Sequence, residues 1–289
     1  MKLALGTVQL GIPYGIANQT GMPDDTTALE ILRAAHEHGY TWLDTAASYG
    51  QSEAVIGRLA AAAWKGSKPQ IATKMVLKDD VEPKAQIAES LEKLALDSVE
   101  AVMLHNEADL DHPRFADFAA LPASGLVQLA GVSIYEPKRA LQGLEAGLQC
   151  LQVPCNLFDT ASIDAGVFTK ARELGATVFV RSIFLQGLFF LTPDHPRVER
   201  IPGAVEALRF LHDFCHRYAV SPAQLALALG ASLDDAVIVL GAETAAQVAG
   251  NAVLARDAAR HREIVERWLH ERPTIPKSVY TPGEWQVTS

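Results

Sequence analysis

Four ionisable side chains stand at or just beyond the ends of short apolar runs: Asp44 and Tyr49 in LDTAASYG, Lys74 closing IATK, and His105 in VMLHN. If they converge, a phenol, an ammonium, a carboxylate and an imidazole make a proton-transfer set. A free tyrosine has a pKa near 10 and is a reluctant acid at neutral pH. An ammonium about 4 Å from the phenol oxygen, at an effective dielectric of about 20, favours the phenolate by roughly 4 kcal/mol before desolvation losses. Lys74 can supply that charge. A buried lysine tends to neutralise, so it needs a carboxylate partner, and Asp44 is the nearest by strand order. His105 can then orient and polarise a bound oxygen, or share the proton relay with Tyr49. Each residue also has a plainer use: Asp44 as a cap, Tyr49 as packing, Lys74 as a structural ion-pair partner, His105 as a satisfied core histidine. Their arrival on three consecutive strand ends favours chemistry.

The elements that must position them are legible in the same stretches. Apolar runs rich in β-branched residues fall at Leu3–Thr7, Thr41–Thr45, Gln70–Lys74, Ala101–His105, Leu129–Ser133, Leu151–Pro154, Thr177–Arg181 and Ala236–Gly241. Most are nearly continuous rather than alternating, as expected of strands covered on both faces. Amphipathic stretches lie between them, near Asp25–His38, Glu53–Trp64, Pro83–Leu94, Arg114–Ala120, Pro137–Ala146, Ala161–Leu174 and Gly203–Tyr218. Pro83, Pro137 and Pro222 sit where a first helical turn tolerates a missing N–H, and Ser221 can cap. Gly39 and Gly175 follow helical runs, where a left-handed residue is wanted. Eight strands alternating with helices predict an α/β protein, a (β/α)8 TIM barrel spanning residues 1–289 as one domain, with functional groups at the carboxyl ends of its strands. A doubly wound open sheet is the other arrangement, but no strand is followed by GxGxxG. Outside the repeat, the Pro-rich loop Leu191–Pro202 is long enough to cover a site. The last helical stretch is read at Ala255–His270, and Glu271–Ser289 as an extended flap or frayed end.

Composition narrows the classes. The 289 residues are 49% hydrophobic and 20% charged, which supplies a large core and excludes general disorder. A net charge of −9 with no Lys/Arg run disfavours nucleic acid and anionic membranes as partners. Cys150, Cys155 and Cys215 are odd in number and lack CxxC spacing, so neither a disulfide framework nor structural zinc is expected. No strand end carries the paired His/Asp/Glu spacing of a divalent metal site. The opening MKLALGTVQLG lacks a leader's apolar stretch, and no run of about 18 apolar residues occurs, so a cytoplasmic protein is expected. Nothing in the sequence fixes the oligomeric state.

The motifs LALGTVQLG, LDTAASYGQSE, ATK, LHN, GVSIY, SIFLQGL and GAETAAQVAGN occur in this order and in register with the strands. Together they resemble the aldo-keto reductase family from Leu3 to about Ala255. The resemblance implies an NAD(P)(H)-dependent oxidoreductase that reduces an aldehyde or ketone to an alcohol. Hydride would reach the carbonyl carbon, while Tyr49 protonates the oxygen with help from Lys74, Asp44 and His105. It also implies NADPH or NADH bound across the carboxyl rim without a Rossmann domain. Gly6 and Thr7 in the opening motif would touch the cofactor, and Ser133 and Gln152 match positions that hold the carboxamide. Ile134 stands where the family often has Asn, and Arg181 where an aromatic often stacks on the nicotinamide; a planar guanidinium can stack there too. Ser182, Leu185, Gln186 and Gly187 would contact the pyrophosphate or its covering loop. Gly241, Ala242, Glu243, Gln247 and Asn251 would lie at the adenosine end, with a helix N-terminus offering N–H groups to phosphate. Family habit favours NADP, whereas Glu243 and the lack of basic residues there favour NAD.

The substrate implied is a small-molecule carbonyl. Short loops suggest an open site for polar or sugar-like compounds, and RSIFLQGL resembles bacterial reductases of sugar or polysaccharide metabolism. Tyr14, Trp42, Phe184 and Phe189 are wall candidates that also suit the core. Two other readings stay open: a barrel aldolase or lyase using Lys74 as a Schiff-base nucleophile, and a catalytically silent nicotinamide-binding regulatory barrel.

Overall fold

Side-chain alternation along the strands decides what the barrel holds. The computed structural model describes residues 1–285. Its strands are β1 (Lys2–Gly6), β2 (Trp42–Asp44), β3 (Gln70–Met75), β4 (Val99–Leu104), β5 (Val127–Ser133), β6 (Cys150–Pro154), β7 (Thr177–Arg181) and β8 (Val237–Gly241). Each pairs in parallel with the next in chain order, and β1 pairs with β8, so the sheet closes into the (β/α)8 barrel. Successive residues on a strand face opposite sides. Ala4, Trp42, Ala72, Ala101, Met103, Cys150, Phe179, Val237 and Val239 fill the interior as one apolar layer. Two residues further on, with the same parity, come Gly6, Asp44, Lys74, His105, Gln152, Arg181 and Gly241. The residues that could do chemistry therefore stand directly above an apolar floor. Trp42 and Phe179 anchor that floor edge to face, with centroids 5.0 Å apart. Truncating a buried aromatic of this kind costs about 3–5 kcal/mol.

The opposite faces of the strands, including Ile71, Val102, Val132, Leu151, Val180 and Ile238, pack against helix residues such as Ile31, Leu32, Ile56, Ile87 and Leu91. Local signals place those helices. Asp24 caps Asp25–Glu37 by accepting from the Thr27 N–H at 2.8 Å. Pro83, Pro137 and Pro222 begin their helices, and Ser221 forms a reciprocal capping box with Gln224. Gly39 and Gly175 adopt φ of +82° and +68° at the helix ends, as expected.

Three expectations change. The stretch read as Ala161–Leu174 is two short helices, Ala161–Asp164 and Val167–Glu173, separated by Gly166 at φ +73°. The last helical stretch begins earlier than Ala255: Thr244 caps Ala245–Asp257, a 3-10 turn follows, and Arg262–Glu271 completes the run. Its first half is rich in alanine and shows no clear apolar stripe. The stretch after Glu271 is not extended throughout. Lys277–Tyr280 forms a short helix with Val279 buried, and the Trp285 indole donates to the Ser278 carbonyl at 3.0 Å. Residues 286–289 of that tail lie outside the described residues. The loop Leu191–Pro202 contains a helical turn, Pro196–Glu199. Among the described residues no helix is long and apolar enough to cross a membrane.

Candidate active site

Lys74 is 1% exposed. Its Nζ donates to Asp44 Oδ1 at 2.8 Å, to the Thr45 carbonyl at 2.9 Å and to Tyr49 Oη at 3.5 Å. Burial by itself pulls its pKa down, but Asp44 and Tyr49 outweigh burial and hold it above the ordinary lysine value. The side chain is an ammonium with all three donors engaged. Asp44 Oδ1 also accepts from Gln152 Nε2 at 2.7 Å, so the buried pair is hydrogen-bonded on both sides, as a buried ion pair must be.

Tyr49 is placed by backbone contact. A Cβ on Gly11 would lie 1.7 Å from the Tyr49 carbonyl oxygen, and one on Gly50 would lie 2.4 Å from the Gly11 carbonyl oxygen. These two glycines let the β1 and β2 loops touch, and the Gln51 N–H donates to the Gly11 carbonyl at 3.4 Å. Beneath them Thr7, Thr45 and Ser52 form a buried hydroxyl cluster, with Thr7 Oγ1 donating to the Asp44 carbonyl at 2.8 Å. The loop that carries the phenol is thus tied to the strand that carries the carboxylate.

His105 follows β4, its N–H donating to the Met75 carbonyl at 2.7 Å. Its ring lies 5.6 Å from that of Tyr49 at 80°, and its Nδ1 is 2.9 Å from Ser48 Oγ. Desolvation first, then the positive charges of Lys74 and Arg181 against the opposing Asp44, lower its pKa to about 4. The imidazole is therefore neutral at physiological pH. In the tautomer where Ser48 donates to Nδ1, Nε2 carries the ring proton and can donate.

Asp44, Tyr49 and His105 line a cleft of about 860 Å³, with Lys74 behind them. Gly6, Thr7, Ser133, Gln152, Arg181, Ser182, Gln186, Gly187, Gly241, Ala242, Glu243, Gln247 and Asn251 line it as well. Leu185 does not: it is fully buried, because the loop turns it into the core. Of the wall candidates, Tyr14 and Phe184 line the cleft, whereas Trp42 belongs to the floor and Phe189 to the outer core. Among the described residues no group of three or more His, Cys, Asp or Glu could hold a metal ion.

The residues fit an elongated polar ligand with an amide at one end. Ser133 and Gln152 are register partners on β5 and β6. Because Gln152 commits its nitrogen to Asp44, its oxygen is left to accept from an incoming N–H. Gln9 lines the cleft with a buried Oε1 that lacks a hydrogen-bond partner, and a Cβ on Gly241 would meet Gln9 Nε2 at 2.5 Å. Ser182, Leu185 and Gln186 have positive φ without being glycine, a strain that backbones at functional loops carry. That loop reaches the β1 loop: the Ile16 N–H donates to the Gln186 carbonyl at 3.1 Å and Gln186 Nε2 donates to Tyr14 Oη at 2.9 Å. Burial chiefly raises the Tyr14 pKa, to about 12, so it remains a phenol.

Glu243 faces the β1 loop, where Thr20 and the Gln19 backbone hydrogen-bond to it, and burial still raises its pKa. Ser48, Gln9, Tyr135 and Pro282–Gly283 belong to the site without having been expected there. Ser48 precedes Tyr49 and was a readable candidate. The tail residues carry no chemical signal in sequence.

A model of the Aldo/keto reductase family matches residues 2–260, and the chain belongs to that family. It is an NAD(P)H-dependent oxidoreductase. The aldo-keto reductase str7 of Strobilurus tenacellus is 27% identical over 255 residues, which cover 78% of this chain and 74% of that protein. In fold it is similar to the holo form of the aldo-keto reductase AKR11C1 from Bacillus halodurans, with a TM-score of 0.72, 21% identity and coverage of 97% and 94% of the two chains. The aldo-keto reductase AKR2E4 of Bombyx mori, solved in complex with NADP, has a TM-score of 0.62, 20% identity and coverage of 95% and 94%.

Proposed function

We propose that this enzyme reduces an aldehyde or ketone to an alcohol, with Tyr49 as the proton donor. The observation that carries this reading is one contact: the Lys74 ammonium, paired to Asp44 at 2.8 Å, lies 3.5 Å from the Tyr49 phenol oxygen at a cleft wall. When bound, the nicotinamide cofactor supplies hydride to the carbonyl carbon. The developing alkoxide takes its proton from Tyr49 Oη, and Lys74 stabilises the negative charge left on the phenol oxygen. Neutral His105 donates from Nε2 to the carbonyl oxygen, polarising it and fixing its distance from Tyr49. Ser48 holds the imidazole tautomer in which this is possible.

Ser133 and the Gln152 oxygen would hold the carboxamide, and through Gln152 the cofactor position is tied to Asp44. Gly241, Ala242, Glu243, Gln247 and Asn251 would hold the adenosine end. Thr244 already caps the helix there, and Gln247 takes the Glu243 N–H at 2.6 Å. The lining residues near Glu243 include no lysine or arginine. That favours NAD over NADP, against the family's habit.

The Schiff-base reading asks Lys74 for a neutral, accessible amine, and the ion pair, full burial and raised pKa all count against it. A panel of aldehydes assayed with NADPH and NADH, alongside borohydride trapping, tests the choice. Cofactor oxidation matched by alcohol formation is expected. A covalent substrate adduct on Lys74 would defeat the reductase mechanism.

A further inference from the structure

Arg181 ends β7 on the inward-facing parity and is the single arginine or lysine among the described residues lining the cleft. Other half-buried guanidinium groups of the molecule have firm partners. Arg139 bonds Asp111 at 2.7 Å and the Glu107 carbonyl at 2.7 Å, while Arg272 bonds the Leu157 carbonyl at 2.8 Å and Thr160 at 2.6 Å. Arg181 has two long contacts, to Ser182 Oγ at 3.4 Å and the Ile134 carbonyl at 3.5 Å, and no ion pair among the described residues. A guanidinium presents five N–H donors in a planar fork, so most of this one's capacity is unspent. One face of it is covered. The guanidinium carbon sits 4.1 Å from the centroid of the Tyr135 ring, an aromatic that is 55% exposed. The group shares the cleft with His105 and Tyr49.

We propose that Arg181 reads an oxyanion on the substrate, so that the carbonyl compounds this enzyme reduces best carry a carboxylate or phosphate close to the reacting carbon. This rests on the reductase reading and adds the substrate's charge to it. A carboxylate and a phosphate both match the fork bidentately. On a chain of net charge −9, one cation without an ion-pair partner in the same cleft as the proton donor selects for anions there. In the neutral substrates of the same shape that fork finds no partner.

Matched pairs test this: succinate semialdehyde against butanal, and glyceraldehyde 3-phosphate against glyceraldehyde, with kcat and KM measured at saturating cofactor. The wild-type protein should favour the charged member of at least one pair, and which pair responds distinguishes carboxylate from phosphate. Arg181→Leu should raise KM for that member about tenfold to a hundredfold, the range of a lost charge-assisted hydrogen-bonded contact. The neutral member should change far less, and Arg181→Lys should recover part of the preference. No preference in the wild-type protein overturns the proposal. So does an equal loss on both members in Arg181→Leu, which would assign the guanidinium to the cofactor or to structure. If the wild-type protein reduces none of the four aldehydes, the reductase reading itself fails, and the substrate proposal with it.

Discussion

Replacing Lys74 by Met keeps the length and apolar stem of the side chain but removes the charge. With Nζ 3.5 Å from Tyr49 Oη, the attraction between an ammonium and a phenolate is about 5 kcal/mol at an effective dielectric of 20. The phenol is only partly ionised when the proton is in flight, so roughly half of that, about 2.5 kcal/mol, is lost from the transition state. Each 1.36 kcal/mol is tenfold in rate, which makes about seventy-fold the least expected fall in kcat and, if the full attraction is lost, about three-thousand-fold the most. Stability should fall as well, by about 3–5 kcal/mol, because Asp44 is left buried and uncompensated. The double variant Asp44→Asn/Lys74→Met removes that orphaned charge. It should regain most of the melting temperature and none of the rate. Single-turnover reduction by preloaded enzyme, read from cofactor absorbance beside a thermal melt, separates the two effects. Lys74→Met within fivefold of the wild-type rate, or a double variant that recovers rate and stability together, would refute the reasoning.

Four further outcomes follow from the same geometry. The lowered pKa of His105, about 4 rather than 6.5, keeps the ring neutral through the neutral range. The pH profile of kcat/KM should thus show no inflexion near 6.5 and fall only as pH drops toward about 4; a step at 6.5 would mean a solvated, ordinary histidine. The same shift costs stability on acidification. Between pH 6.5 and 4 the unfolded chain binds a proton that the folded ring refuses, an effect of up to about 3 kcal/mol, reduced to about half by solvent around a half-buried ring. Ser48→Ala frees the imidazole tautomer and should lower kcat about tenfold with little change in melting temperature, which kinetics and a thermal melt would check. Gly11→Ala places a methyl 1.7 Å from the Tyr49 carbonyl. It should push the Tyr49 loop away and lower both activity and stability, whereas Gly250→Ala, on ordinary helical backbone with nothing within 4 Å of the new Cβ, should disturb packing least.

The barrel was legible because each strand is an apolar run ending in a chemically distinctive residue. Asp44 and Lys74 sit on the inward parity that strand alternation imposes, so strand ends located them, whereas Gln152 and Arg181, on the same parity, were reached through the family resemblance. The Ala245–Asp257 helix was harder to place because its apolar residues do not gather on one face. The break at Gly166 was hidden by amphipathic stretches on both sides. Leu185 was assigned to the cofactor by its place in the motif, but the loop's positive φ values turn it inward, which no residue-type argument reveals. Tyr135 and Pro282–Gly283 join the cleft through tertiary contacts, and Ser48 reaches the site through His105. A proline near a chain end has no pattern that marks it for a site, whereas Ser48 stands beside Tyr49 in the same motif.

In the proposed mechanism Tyr49 supplies the proton, and Tyr49→Phe is the decisive variant. The phenyl ring preserves the packing against His105 and removes only the hydroxyl. Cofactor affinity, titrated by fluorescence, should stay near the wild-type value. The single-turnover rate of aldehyde reduction should fall by about 10²–10⁴, the range of a lost general acid. A Tyr49→Phe protein that binds cofactor and still reduces aldehyde at close to the wild-type rate would contradict the account.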